Sequence, residues 1–140
     1  MSKKTKPAKS LPQSTDYFSD LKKWPDDWKV TDKDLKIGME MLEPFSAFIK
    51  FLVGNGLAKK TIKNHIQNLN LLGSEIIRRL NDEDSRFRKL PTYDIILKYI
   101  DGGEGPLLSF WDPNDPTELA YLKAFDSTCC RLYKFISPPF

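Results

Sequence analysis

The sequence is poor in the residues that most enzyme sites require. A single histidine, His65, stands among 140 residues, which excludes metal and acid–base constellations built on several imidazoles. The only cysteines are the neighbours Cys129 and Cys130. Adjacent cysteines do not readily bridge each other, and with one distant histidine they lack the ligand spacing of a zinc site. Such sparing use of cysteine fits a reducing compartment. No phosphate-cradling glycine loop is present, because Gly102-Gly103-Glu104-Gly105 follows a helical pattern instead of a strand. No apolar run reaches the roughly 18 residues of a membrane span. The lysine-rich N-terminus lacks the apolar core of a signal peptide, so a cytoplasmic location is expected. No stretch alternates apolar and polar residues as a half-buried strand would. Catalytic residues, metal ligands and cofactors are therefore not expected, and the acidic runs Asp26-Asp27 and Asp82-Glu83-Asp84 read as solvated turns.

What remains is helix, and a positive charge that is unevenly spread. At 40% hydrophobic residues the chain can bury one core. Residues 58–89 carry eight basic and four acidic groups, whereas residues 90–140 carry four and seven. The net charge of +3 thus hides a basic middle and an acidic end. A further cluster, Lys3, Lys4, Lys6 and Lys9, lies in a polar stretch without period, so residues 1–15 are expected to be a flexible basic arm and residues 16–140 a single helical domain.

Within that domain, Phe18, Leu21 and Trp24 or Trp28 fit a short helix broken at Pro25, with the aromatics packing it onto the body. Thr31 reads as an N-cap with Asp34 at the third helical position. Leu35, Met39, Leu42, Phe45, Phe48, Ile49 and Leu52 then hold a helical period up to Gly54, interrupted at Pro44, where a kink or a split into two helices is expected. Gly54 and Gly56 stop this run and permit positive φ. A second helix spans about 58–80, with Ile62, Ile66, Leu69, Leu72 or Gly73, Ile76 and Leu80 as its apolar stripe. Lys60, Lys63, Asn64, Gln67, Ser74 and Arg78 occupy the other face. Cations mixed with amides suit phosphate oxygens and base edges, and they equally suit a solvated outer face.

Pro91 is placed to open a third helix, with Tyr93, Ile96, Leu97 and Ile100 as its apolar side and Gly102-Gly103 as its end. Residues 104–114 form a loop whose Leu107, Leu108, Phe110 and Trp111 predict that it packs down. Asp115-Pro116-Thr117-Glu118 combines an N-cap, a first-position proline and a glutamate at the third position. Leu119, Leu122, Phe125, Cys129, Leu132 and Ile136 follow as the last stripe, ended by Pro138-Pro139. The fold class is all-α, a compact bundle of four to five helices.

The run Phe45-Ser46-Ala47-Phe48-Ile49-Lys50-Phe51-Leu52, a glycine turn, then Leu57-Ala58-Lys59-Lys60-Thr61-Ile62-Lys63-Asn64-His65-Ile66-Gln67-Asn68-Leu69 resembles the N-terminal core-binding domain of tyrosine recombinases, the phage integrases. The likeness covers residues 43–80 well and 32–136 loosely. It implies a SAM-like helical domain from a mobile element that lays positive helices across double-stranded DNA. On that likeness Lys59, Lys60, Thr61, Lys63, Asn64 and Gln67 fall where the family contacts phosphate and groove. Arg78 and Arg79 extend the same helix on charge alone. The family's catalytic domain would follow such a segment, and the chain instead stops at Phe140. The expected function is a non-catalytic DNA-binding module. The alternative is a helical protein-interaction or oligomerisation module that uses exposed aromatics around Trp24, Trp28, Phe110 and Trp111.

Overall fold

The computed structural model describes residues 17–82, 84–106, 108, 112 and 114–137. Five α-helices account for most of these: α1 (Trp24–Trp28), α2 (Asp34–Gly54), α3 (Lys59–Leu80), α4 (Thr92–Ile100) and α5 (Pro116–Ile136). Three short 3-10 segments accompany them: Leu21–Lys23 before α1, Ser85–Lys89 between α3 and α4, and Asp101–Gly103 after α4. Strands are absent among the described residues, and the bundle is all-α. The expected basic arm, residues 1–15, together with Phe110, Trp111 and Pro138-Pro139, lies outside the described residues.

The antiparallel α2–α3 hairpin is the centre of the bundle. Helix α1 crosses both members, α4 packs on α2, and α5 packs on α3 and α4. The hairpin turn is built by backbone hydrogen bonds that close the end of α2. Gly56 N–H donates to the Val53 carbonyl at 3.0 Å and Leu57 N–H to the Leu52 carbonyl at 3.5 Å, a pairing that needs a left-handed residue between them. Gly56 supplies it at φ 75°, whereas Gly54 remains helical. Of the two glycines expected to turn the chain, only Gly56 adopts positive φ.

Two prolines behave differently from their sequence signal. Pro44 neither splits nor ends α2, which runs unbroken from Asp34 to Gly54. Its missing N–H and ring clash cost about 3 kcal/mol. The same turn buries Met41, Phe45 and Phe48 completely, and each such side chain returns roughly 1.5–3 kcal/mol, so burial wins. Pro25 does not break a helix either. It sits in the first turn of α1, where no backbone donor is needed.

The aromatics of α1 pack inward as expected: Trp24 and Trp28 are only 4% and 5% exposed. Trp28 lies edge-on to Phe45 and its indole N–H donates to the Asn70 Oδ1 at 2.7 Å. Gly73 makes this possible, since a Cβ there would overlap the Trp28 ring. Thr31 is not the cap of α2; instead the carboxylate of Asp34, in the first turn, accepts from the backbone N–H groups of Val30 and Thr31 at 2.8 and 3.0 Å. Pro91 precedes α4 instead of opening it, and Ile95 takes the buried place expected for Tyr93, which is 41% exposed. At α5 the Asp115 side chain caps the Thr117 N–H at 2.9 Å, while Glu118 accepts from the Asp112 N–H instead of from the cap residue. Leu119 is exposed, and Phe125, Cys129 and Leu132 are buried on that helix. Leu108, from the loop before α5, packs into the core.

Candidate nucleic-acid interface

The α3 stripe is buried at Ile62, Leu69, Leu72, Gly73, Ile76 and Leu80, and Ile66 is half-buried. This orientation turns Lys59, Lys60, Thr61, Lys63, Asn64 and Gln67 to the surface, where all six are exposed. The N-cap of α3 is Ala58, which has no side chain able to accept a hydrogen bond. The first intrahelical donor is the Ile62 N–H, bonded to the Ala58 carbonyl. The N–H groups of Lys59, Lys60 and Thr61 therefore point out of the helix without a cap.

The start of α3 differs from that of the other four described α-helices. Acidic residues stand in the first turn of α1 (Asp26 and Asp27), α2 (Asp34), α4 (Asp94) and α5 (Glu118), and none in the first turn of α3. Lysines occupy that turn instead, although cations at a helix N-terminus oppose the macrodipole. None of Lys59, Lys60 and Lys63 makes an ion pair with a described residue. Lys63 also borders a depression of about 310 Å³ with Tyr17, Asp20, Trp24, Ile66, Gln67 and Asn70. Lys50, one turn before the end of α2, is exposed at the same end of the hairpin, its Nζ 5.8 Å above the Phe18 ring. Sequence reasoning omitted Lys50, though its position four residues before the glycine turn was the available signal.

Arg78 and Arg79 do not join this group. They lie near the far end of α3, about 25–30 Å away at 1.5 Å per residue. Both donate to the buried carboxylate of Glu75, Arg79 through Nε at 2.9 Å, and Arg78 also faces Asp82 at 3.7 Å. Burial alone would raise the pKa of Glu75, but the hydrogen bonds from Arg78 and Arg79 outweigh it and hold the carboxyl below its ordinary value. The eight residues singled out from the sequence thus separate into six exposed at one end and two carboxylate-bound at the other.

His65 faces inward at 8% exposure, its Nδ1 2.7 Å from the Thr128 hydroxyl oxygen. Burial, helped by the charge of Arg131, lowers its pKa. Thr128 in turn donates to the Ala124 carbonyl and accepts from Asn68 Nδ2, so the histidine belongs to the α3–α5 packing. No group of three or more metal-ligating side chains occurs among the described residues. Nor, among them, is any helix long and apolar enough to cross a membrane. The burial of Trp24 and Trp28 removes both from any exposed aromatic surface.

Comparison with protein-family models, with curated proteins and with solved structures finds no match.

Proposed function

We propose that this chain is a non-catalytic module that binds double-stranded DNA through its phosphate backbone, using the start of α3. The observation that carries this reading is the uncapped, acid-free first turn of α3 ringed by Lys59, Lys60 and Lys63, none of which pairs with a described residue. Exposed N–H groups at a helix start attract anions, and lysines around them add charge that the fold itself does not use. Thr61, Asn64 and Gln67 offer neutral donors along the same exposed face, suited to sugar and base edges. The resemblance of residues 43–80 to the integrase core-binding domain points to the same helix start.

Binding is then largely independent of sequence and steeply dependent on salt. Fluorescence anisotropy with a labelled duplex of about 25 base pairs, read across a salt series, gives the number of phosphates neutralised from the log–log slope. Replacing Lys60 and Lys63 together by alanine is expected to weaken binding and to reduce the slope by about one to two units. No binding at low salt, or an unchanged slope in the double variant, would overturn the assignment.

A further inference from the structure

At the opposite end of the hairpin an open groove of about 960 Å³ runs between α2 and the corner that leads into α4. Its α2 side spans residues 33–43, about 15 Å of helix, enough for four or five extended residues of a bound peptide. Three exposed apolar side chains meet on it: Met39 at 64%, Leu90 at 37% and Tyr93 at 41%. Its rim is basic, with Lys33, Lys36 and Lys89 all exposed and none in an ion pair with a described residue. One of the two groove carboxylates, Glu40, accepts the Thr92 hydroxyl at 2.5 Å. Beneath the rim, Arg88 gives Nη2 to Asp34 at 2.5 Å, while its Nε and Nη1 are buried with no acceptor among the described residues.

We propose that this groove docks an acidic, apolar-anchored segment of a partner protein. Apolar side chains of the segment cover Met39, Leu90 and Tyr93, and its carboxylates sit against Lys36 and Lys89. Charge complementarity sets the occupant. The chain's own N-terminal stretch carries Lys3, Lys4, Lys6 and Lys9, the wrong sign for this rim. A DNA duplex would leave the three apolar side chains uncovered and would meet Glu43 on the groove wall. The inference is independent of DNA binding at α3, because the two surfaces lie at opposite ends of the hairpin.

The test uses the full chain and a labelled peptide of about 12 residues in which glutamate alternates with leucine and phenylalanine. Two control peptides replace glutamate by lysine, or the apolar residues by serine. Saturable binding of the first peptide alone is expected. It should weaken by about tenfold or more in Lys36→Glu/Lys89→Glu and in Tyr93→Ser, and be unchanged in Lys60→Ala/Lys63→Ala. These substitutions lie on the surface, and circular dichroism checks that each variant folds. Absence of binding, equal binding of a control peptide, or indifference to Lys36→Glu/Lys89→Glu overturns the proposal. So does displacement of the peptide by duplex DNA, which would make the groove a phosphate surface. Self-association abolished by Lys36→Glu/Lys89→Glu would likewise overturn it, by showing a second copy to be the occupant.

Discussion

The lysines at the turn of the α2–α3 hairpin and the arginines at its far end use positive charge in opposite ways. At the turn, Lys50, Lys59, Lys60 and Lys63 are exposed and none pairs with a described carboxylate. At the far end, Arg78 and Arg79 share Glu75, and Arg88 binds the fully buried Asp34. Asp34 also receives the Val30 and Thr31 N–H groups and Asn81 Nδ2, so one carboxylate ties together the start of α2, the end of α3 and the segment before α4. Arginine suits that role because its planar fork can serve a carboxylate and still pack. Cations committed to the fold are not available to a ligand, and a charge count along the chain does not tell the two kinds apart.

The sharpest test of this contrast is Asp34→Ala. It leaves the Arg88 guanidinium, only 16% exposed, without its counter-charge and strands two backbone donors. Breaking one side of a buried pair costs about 3–5 kcal/mol, and urea unfolding should show a loss of that size. A loss below about 1 kcal/mol, the range of exposed pairs, would place this cluster with the surface lysines. Acid reports on the same group. Burial raises the pKa of Asp34, but hydrogen bonds from Thr31, Arg88, Val30 and Asn81 lower it further, and the net value lies below 3.8. A carboxyl whose folded value is depressed adds stability above its unfolded value and loses it as pH falls through the folded one. The Asp34 contribution is therefore complete above about pH 5 and fades as pH falls below that. Chemical denaturation of the parent chain from pH 6 to pH 2 should show this fall, and Asp34→Asn should flatten it.

Glu75→Gln is the next largest effect and probes whether pairing or position keeps the arginines from DNA. Hydrogen bonds to a charged group contribute about 1.5–3 kcal/mol, and stability should drop within that range. Duplex affinity and salt slope should stay the same, because Arg78 and Arg79 are far from the lysine end. A steeper slope would show that Glu75 alone held them back, and would extend the interface along the whole of α3.

Much of this arrangement could be read from the chain. The bounds of α3 were legible to within one residue, because its apolar period is unbroken and is flanked by a glycine turn and an acidic turn. The Asp115 cap was legible because all of its parts are local. Pro44 misled, since a local breaker was outweighed by the burial of Met41, Phe45 and Phe48, which only tertiary packing decides. The Asp34–Arg88 pair joins residues 54 apart, beyond any helical spacing. The groove likewise draws on two separated segments. The commitment of Arg78 and Arg79 was visible in principle, since Glu75 precedes them by three and four residues, the spacing at which helical ion pairs form.

The smallest expected change in stability is the most informative for the lysine end. Reversing one charge in the first turn of α3, Lys60→Glu, replaces an unfavourable cation with an anion that complements the macrodipole. Each such interaction amounts to about 0.3–1 kcal/mol at an exposed site. Lys60 is exposed and outside any ion pair with a described residue, so nothing in the described fold opposes the gain. The variant should therefore unfold at slightly higher urea concentration than the parent chain. If the same turn holds phosphate, its duplex affinity should fall more than in Lys60→Ala, since repulsion is added to the lost contact. A fold that gains while binding loses is the mark of a residue kept for its ligand. Loss of stability would show that Lys60 supports the helix in some way its exposed position does not reveal, and unchanged duplex affinity would return the start of α3 to an ordinary solvated face.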